Sequence, residues 1–149
     1  MQVKGKAGKL VRAAVAVLGM GIAAPIALAG SAQALTYVGS DAGVEGRCHN
    51  SSYYLCLYYN STRTTAWWGT QTSVSDLGTR TFFAGTGTGS GTHVKNNAAA
   101  VSCDAGSSSI CYIFSLPGYT GGRDWLYGGS SGRLQETYND DASVKISWG

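Results

Sequence analysis

The chain has 149 residues, with 11 Lys and Arg against 8 Asp and Glu and a formal net charge of +3. Four of those cations, Lys4, Lys6, Lys9 and Arg12, fall in the first 34 residues, where there is no acid, so residues 35–149 carry 7 cations and 8 acids, a net charge of −1. A near-neutral remainder argues against the charge-driven classes, nucleic-acid binders and peripheral proteins of anionic membranes.

Residues 1–34 read as a secretion signal peptide, with a basic start, an apolar run from Ala13 to Ala29 and the small-x-small site Ala32-Gln33-Ala34. Residues 35–149 then form one exported domain, large enough for a single core, expected to be extracellular and free of the membrane after cleavage. All four cysteines, Cys48, Cys56, Cys103 and Cys111, lie in it. An even count in a small exported domain implies disulfides. The doubled C-x7-C spacing favours the local pairs, 48 with 56 and 103 with 111, over the two long-range connectivities. That spacing is not a zinc-finger spacing, and His49 and His93 supply no second ligand pair.

In chain order, Leu35 to Arg47 is a turn-rich lead-in with little pattern. Tyr53 to Tyr59 is a dense aromatic and aliphatic strand, Asn60 to Thr65 is turn-like, and Ala66-Trp67-Trp68-Gly69 restores aromatics. Val74 to Leu77 and Thr81 to Ala84 are short strand candidates. Gly85 to Gly91, G-T-G-T-G-S-G, reads as a flexible loop, and Val94 to Ser102 closes the first half. Cys111 to Phe114 is a strand that enters a turn at Leu116-Pro117-Gly118. Trp125 to Tyr127 is a further strand, and Gly128 to Gly132 a loop. Val144, Ile146 and Trp148 alternate with polar residues in a last, half-buried strand. No sustained helical period follows the signal. With 22 glycines and 2 prolines, the pattern is that of an all-β sandwich with tight turns.

Phe114, Tyr119 and Gly121 form an aromatic-x4-aromatic-x-Gly signature. A folded-over hairpin needs one aromatic over its bend and a glycine where a Cβ is excluded. The halves also repeat, about 48–102 and 103–149. Cys48 and Cys56 align with Cys103 and Cys111, and Leu57-Tyr58-Tyr59 with Tyr112-Ile113-Phe114. Asn96-Asn97-x-Ala-x-Val101 aligns with Asn139-Asp140-x-Ala-x-Val144. The first half carries about a dozen extra residues, most of them assigned to the Gly-Thr loop, and its aromatic-glycine signature is broken, with Thr64 in the second aromatic position.

On these residues the chain resembles the secreted actinobacterial peptidase inhibitors of family 36, which have a βγ-crystallin-like fold. The carrying segments are L-C-L-Y-Y, F-S-L-P-G-Y-T-G and N-D-D-A-S-V-K-I. The resemblance implies a disulfide-bonded βγ-crystallin-like sandwich of two Greek keys, monomeric, that acts on an extracellular metalloprotease by occluding its active site with a rigid loop rather than by chemistry. The stretch from His93 through Val94 and Ser102 to Asp104, tethered by Cys103, is the candidate inhibitory loop. The resemblance also raises calcium, held by oxygen ligands, at Asn139, Asp140, Asp141 and Ser143. Asn96 to Val101 has alanine in the hydroxyl position and no carboxylate, so no calcium is expected there. The same Asn and Asp residues also suit plain turn caps. No other cofactor is expected.

Catalytic readings fail on context. Gly128-Gly129-Ser130-Ser131-Gly132 matches G-x-S-x-G but lacks the strand-turn-helix setting of a nucleophile elbow. Asp140 and Asp141 are adjacent, so in a strand they face opposite ways. Trp67, Trp68, Trp125 and Trp148 are candidates either for a carbohydrate platform or for the core. The sequons at Asn50 and Asn60 matter only in a host that glycosylates them.

Overall fold

Residues whose side chains are β-branched or aromatic and alternate between apolar and polar find their place in pleated sheets, where the two faces see different surroundings. The computed structural model describes residues 33–38, 48, 52–62 and 65–149. The region read as a signal, apart from positions 33 and 34, and most of the lead-in lie outside the described residues, as do His49, Asn50 and Thr64. Eight strands are present: β1 (Leu35–Tyr37), β2 (Leu55–Tyr58), β3 (Trp67–Thr70), β4 (Ala100–Cys103), β5 (Ile110–Leu116), β6 (Thr120–Tyr127), β7 (Ser130–Arg133) and β8 (Ser143–Ser147). They form two four-stranded sheets, ordered β3-β2-β4-β7 and β1-β6-β5-β8. No helix among the described residues is long and apolar enough to cross a membrane.

The two halves exchange chain. β7 belongs to the second half but pairs antiparallel with β4 of the first. Reciprocally, Val74 of the first half bridges Val144 of β8, with backbone hydrogen bonds in both directions. The first sheet is thus completed by a strand of the second half, and the second sheet is extended by a single bridge from the first. The core lies between the sheets and is built from Leu55, Leu57, Trp68 and Val101 on one side and Ile113, Leu126, Val144 and Ile146 on the other.

The strand candidates Val74 to Leu77 and Thr81 to Ala84 contribute only single bridges, at Val74 and Thr81, and three further sequence expectations change. The first concerns the lead-in: Leu35–Tyr37 is a strand, parallel to β6. The second concerns Gly128 to Gly132, read as a loop: Ser130–Arg133 is β7, and Ser131 and Gly132 are buried beside β4. Partner strands override weak local propensity here. The third is the flexibility assigned to Gly85 to Gly91. That segment is internally hydrogen-bonded: the Ser90 hydroxyl accepts from Thr86 N and Gly87 N, both at 3.1 Å, and donates to Gly87 O at 2.7 Å. Gly85, Gly87, Gly89 and Gly91 all have positive φ, a region open to glycine. At Gly89 a Cβ would run into the Tyr59 ring, so the loop is seated on that side chain.

The repeat also differs in register. Asn96 and Asn139 are both left-handed, with φ 62 and 53, and Val101 lies opposite Leu57 as Val144 lies opposite Ile113. This makes Leu57 the counterpart of Ile113, and Tyr58 that of Phe114. The cysteine alignment is therefore off by one residue, which in a strand reverses the face. Cys111 points into the core with Ile113, whereas Cys56 points outward with Tyr58. The disulfides are Cys48–Cys56 and Cys103–Cys111. With identical spacing they do different things. Cys103–Cys111 ties β4 to β5 across the core, and Cys48–Cys56 sits on the outer face of the first sheet.

Candidate functional site

The stretch singled out as an inhibitory loop is in large part buried. Val94 and Ser102 are fully buried, Ser102 inside β4 with its hydroxyl donating to Tyr58 Oη at 3.1 Å. His93 is exposed but bridges Thr81, and Asp104 is half-buried. A strand in the middle of a sheet cannot be presented to a protease cleft. Burial raises the Tyr58 phenol above its ordinary pKa, the Ser102 bond opposes this, and Asp104 adds to it.

The two Asn-rich stretches meet through their backbones. Asn96 N donates to Asp141 O at 2.8 Å, and Asn139 N donates to Ala98 O at 2.9 Å, a reciprocal pair between equivalent positions. The side chains break the symmetry. Asp141 Oδ1 accepts from Asn97 N at 3.1 Å and Ala98 N at 2.9 Å, while its Oδ2 is buried with no hydrogen-bond partner. Burial pushes the Asp141 carboxyl up to about 7, against the pull of the backbone N–H groups and with a further push from Asp140. Ser143 is committed elsewhere: its hydroxyl donates to Leu116 O at 2.7 Å and accepts from Tyr119 N at 3.1 Å. It latches the Pro-Gly hairpin, where Tyr119 has φ 63 and Gly121 φ 83, and where the Tyr119 ring packs on Phe114 at 6.0 Å. The counterpart of Ser143 in the first half is Ala100, which has no hydroxyl. There the insertion holds the bend instead, with Ala66 N donating to Thr88 O at 2.9 Å.

For calcium, the donor set fits in part. Asp141 offers one unused oxygen, and Asn139 and Asp140 are exposed beside it, but Ser143 is spent on the hairpin. Among the described residues no three His, Cys, Asp or Glu side chains gather as a metal would require.

The loop 85–91 combines exposure with internal order. Gly85, Gly87, Thr88 and Gly91 are exposed. Its base is clamped: Thr86 Oγ1 donates to Phe83 O at 2.6 Å, Gly91 N to Phe82 O at 3.0 Å, and Thr92 N to Gly89 O at 3.0 Å. Beneath it Tyr59 meets Phe82 edge-on at 5.7 Å. The signal missed in the sequence was the alternation of glycine with hydroxyl residues, which suits a turn lattice as well as a free linker.

The four tryptophans do not assemble into one platform. Trp68 is in the core. Trp67 packs with Tyr53 and Phe83, and Trp148 is exposed against Tyr54. Trp125 lies on the outer face of the second sheet between Tyr37 and Tyr127, with ring centroids 4.8 and 5.2 Å away. On that face Arg123 stands over the rings of Tyr112 and Phe114. Behind it, facing inward from β6, is a residue that sequence reasoning passed over. Asp124 is fully buried and accepts from Gln135 N, Glu136 N, Thr137 N and Thr137 Oγ1 at 2.8–3.2 Å. A carboxylate in a core-facing strand position between Gly122 and Leu126 was the available sign. Ser130, the formal nucleophile, lies in β7 rather than at a strand-to-helix elbow.

No protein-family model and no curated protein matches the chain. Among solved structures, one from work on the evolution of the eye lens beta-gamma-crystallin domain fold is similar at 15% identity and TM-score 0.51, covering 72% of this chain and 95% of that one. The fold is βγ-crystallin-like. A beta gamma crystallin from Ciona intestinalis is similar at 17% identity and TM-score 0.45, covering 61% of this chain and 95% of its own. IPSE/alpha-1 from Schistosoma mansoni eggs is similar at 17% identity and TM-score 0.43, covering 64% and 84%. The two disulfides accord with an oxidising compartment.

Proposed function

We propose that the protein is an exported inhibitor of an extracellular peptidase, of the zinc type that the sequence resemblance suggests, and that it acts by inserting the 85–91 loop into the active-site cleft. The observation that carries this reading is the pairing of exposure with internal hydrogen bonding in that loop. A segment already held in one conformation loses little ordering entropy on docking. Its side chains are no larger than threonine, so the backbone can enter a narrow cleft. The fold itself supplies a rigid mount, and no chemistry by the protein is needed.

The test is titration of the purified, oxidised protein against a thermolysin-type zinc peptidase, with a subtilisin-type serine peptidase alongside. Stoichiometric inhibition of the zinc enzyme, weakened in Ser90→Ala, which removes the three bonds of that hydroxyl, is the expected result. A folded protein that slows neither enzyme defeats the reading.

A second reading, a calcium-stabilised βγ-crystallin-like module, is favoured by one observation, the buried and unpartnered Asp141 Oδ2. Asn139, Asp140 and Asp141 would hold the ion, which would neutralise a charge that burial disfavours. Calorimetry with millimolar calcium, on the protein and on Asp141→Asn, distinguishes the two: heat in the first and none in the second supports the site, and no heat in either removes it.

A further inference from the structure

The two sheets differ on their outer faces. On the first sheet Cys56, Tyr58, Ala100 and Ser102 point outward yet are buried, beneath the group tied by Cys48–Cys56 with Tyr53 and Trp67. On the second sheet Phe114 and Ser143, at the hairpin end, are buried, but the outward residues around β1 remain open. Tyr37 and Tyr127 are each nearly half exposed, and Trp125 between them is partly so. The outward positions of β1, β5, β6 and β8 hold two cations, Arg123 and Lys145, and no carboxylate, although residues 35–149 as a whole carry a net −1. The Arg123 guanidinium is 5.6 Å from the Tyr112 ring centre and 6.0 Å from that of Phe114. Among the described residues it has no hydrogen-bond acceptor and no ion pair, and neither has Lys145.

We propose that this face is a docking surface for an acidic segment of a partner protein, with Arg123 receiving a carboxylate and Trp125 the apolar side chain next to it. The occupant follows from the chemistry. A guanidinium held over two rings keeps its planar fork ready for a bidentate carboxylate and has already lost much of its rotamer freedom. Trp, Tyr and Arg are the residues that dominate binding energy at protein interfaces. A polysaccharide is disfavoured because the Tyr37, Trp125 and Tyr127 rings are tilted 53–82° to one another and offer no flat strip. A nucleic-acid strand is disfavoured because two cations cannot track a phosphate backbone. The surface is distinct from the 85–91 loop, and the proposal stands or falls apart from the inhibitor reading.

The test is calorimetric titration of the full protein with a hexapeptide of alternating Glu and Leu, blocked at both ends. The same peptide with Gln for Glu, a tetragalacturonate and a short oligothymidylate serve as the other arms. The Glu peptide should bind and quench tryptophan emission, and the Gln peptide should bind at least tenfold more weakly. Arg123→Gln should weaken the Glu peptide roughly tenfold or more, the effect of losing a charge-assisted contact, and Arg123→Lys should retain part of it. Trp125→Ala should lose binding as well, and Arg80→Gln, an exposed arginine off this face, should not. Arg123→Gln keeps the test sound if Trp125→Ala does not fold, because among the described residues the Arg123 side chain makes no hydrogen bond, and its backbone bond to Ala34 O is untouched by the change. Equal binding of the Glu and Gln peptides, preference for the uronate or the oligonucleotide, no binding at all, or an equal loss in Arg80→Gln would each overturn the proposal.

Discussion

Asp124→Ala isolates one carboxylate that organises a whole segment. Its two oxygens accept four hydrogen bonds from Gln135, Glu136 and Thr137, and so fix the chain just after β7, where Leu134 N donates to Ala99 O. A hydrogen bond to a charged group contributes about 1.5–3 kcal/mol net, and a buried donor left unpaired costs about 1–3 kcal/mol. Four such losses do not add, because Gln135 and Glu136 are exposed and their amides regain water once the turn loosens. The Thr137 amide and hydroxyl are buried and do not. The expected loss is therefore about 3–5 kcal/mol, two buried Thr137 donors left unpaired at about 1–3 kcal/mol each with a smaller part from Gln135 and Glu136. Against a total stability of about 5–15 kcal/mol this is a large share. Urea unfolding followed by tryptophan fluorescence measures it, with Thr137→Val as a milder companion that removes one bond and costs about 1 kcal/mol. A loss below about 1 kcal/mol in Asp124→Ala would refute the reasoning and show that the 135–137 turn is held by its backbone alone.

Asp141 makes stability depend on pH in the less familiar direction. Its folded pKa of about 7 lies above its ordinary 3.8, so between about pH 4 and pH 7 the folded protein keeps a proton that the unfolded chain has released. The stability contributed by this group is full below about pH 4 and falls as pH rises to about 7, by up to about 4 kcal/mol. Asp141→Asn keeps an acceptor for Asn97 N and Ala98 N and should flatten this slope, becoming relatively more stable at pH 8 than at pH 4.5. An Asp-to-Asn difference that is the same at both pH values in denaturant titrations would contradict it. Gly89→Val should destabilise by about 1–3 kcal/mol, since a Cβ there meets the Tyr59 ring and the positive φ is unfavourable to a branched side chain. Thermal melts measure this, and an unchanged midpoint would mean that the loop is not seated on Tyr59.

Much of the architecture was legible because it is written in local chemistry. Phe114, Tyr119 and Gly121 specify a folded hairpin by size and by backbone freedom, and that hairpin is present with Tyr119 and Gly121 at positive φ. Val144 and Ile146 alternate with polar neighbours, and they line the core of β8. Asn96 and Asn139 mark equivalent left-handed turns, a conformation that asparagine tolerates better than most residues. The sites were less legible. His93 to Asp104 read as a tethered loop because Cys103 anchors it, yet β2 and β7 flank Ala100–Cys103 and make that part a central strand.

By itself the sequence determined that the chain forms strands rather than helices, that it contains two related halves, and that one Pro-Gly hairpin is folded over. Each of these rests on side-chain size, periodicity or backbone freedom, which act over a few residues. Only the tertiary structure decided which face each strand shows. A period of two has no intrinsic inside, so the cysteine spacing suggested a register one residue off, and equally spaced disulfides came to lie one across the core and one outside it. The same holds for β7, a glycine-serine run made a strand by β4, and for the 85–91 loop, ordered by the ring of Tyr59. In each case the deciding partner is distant in sequence, and its contribution exists only once the sheets have met.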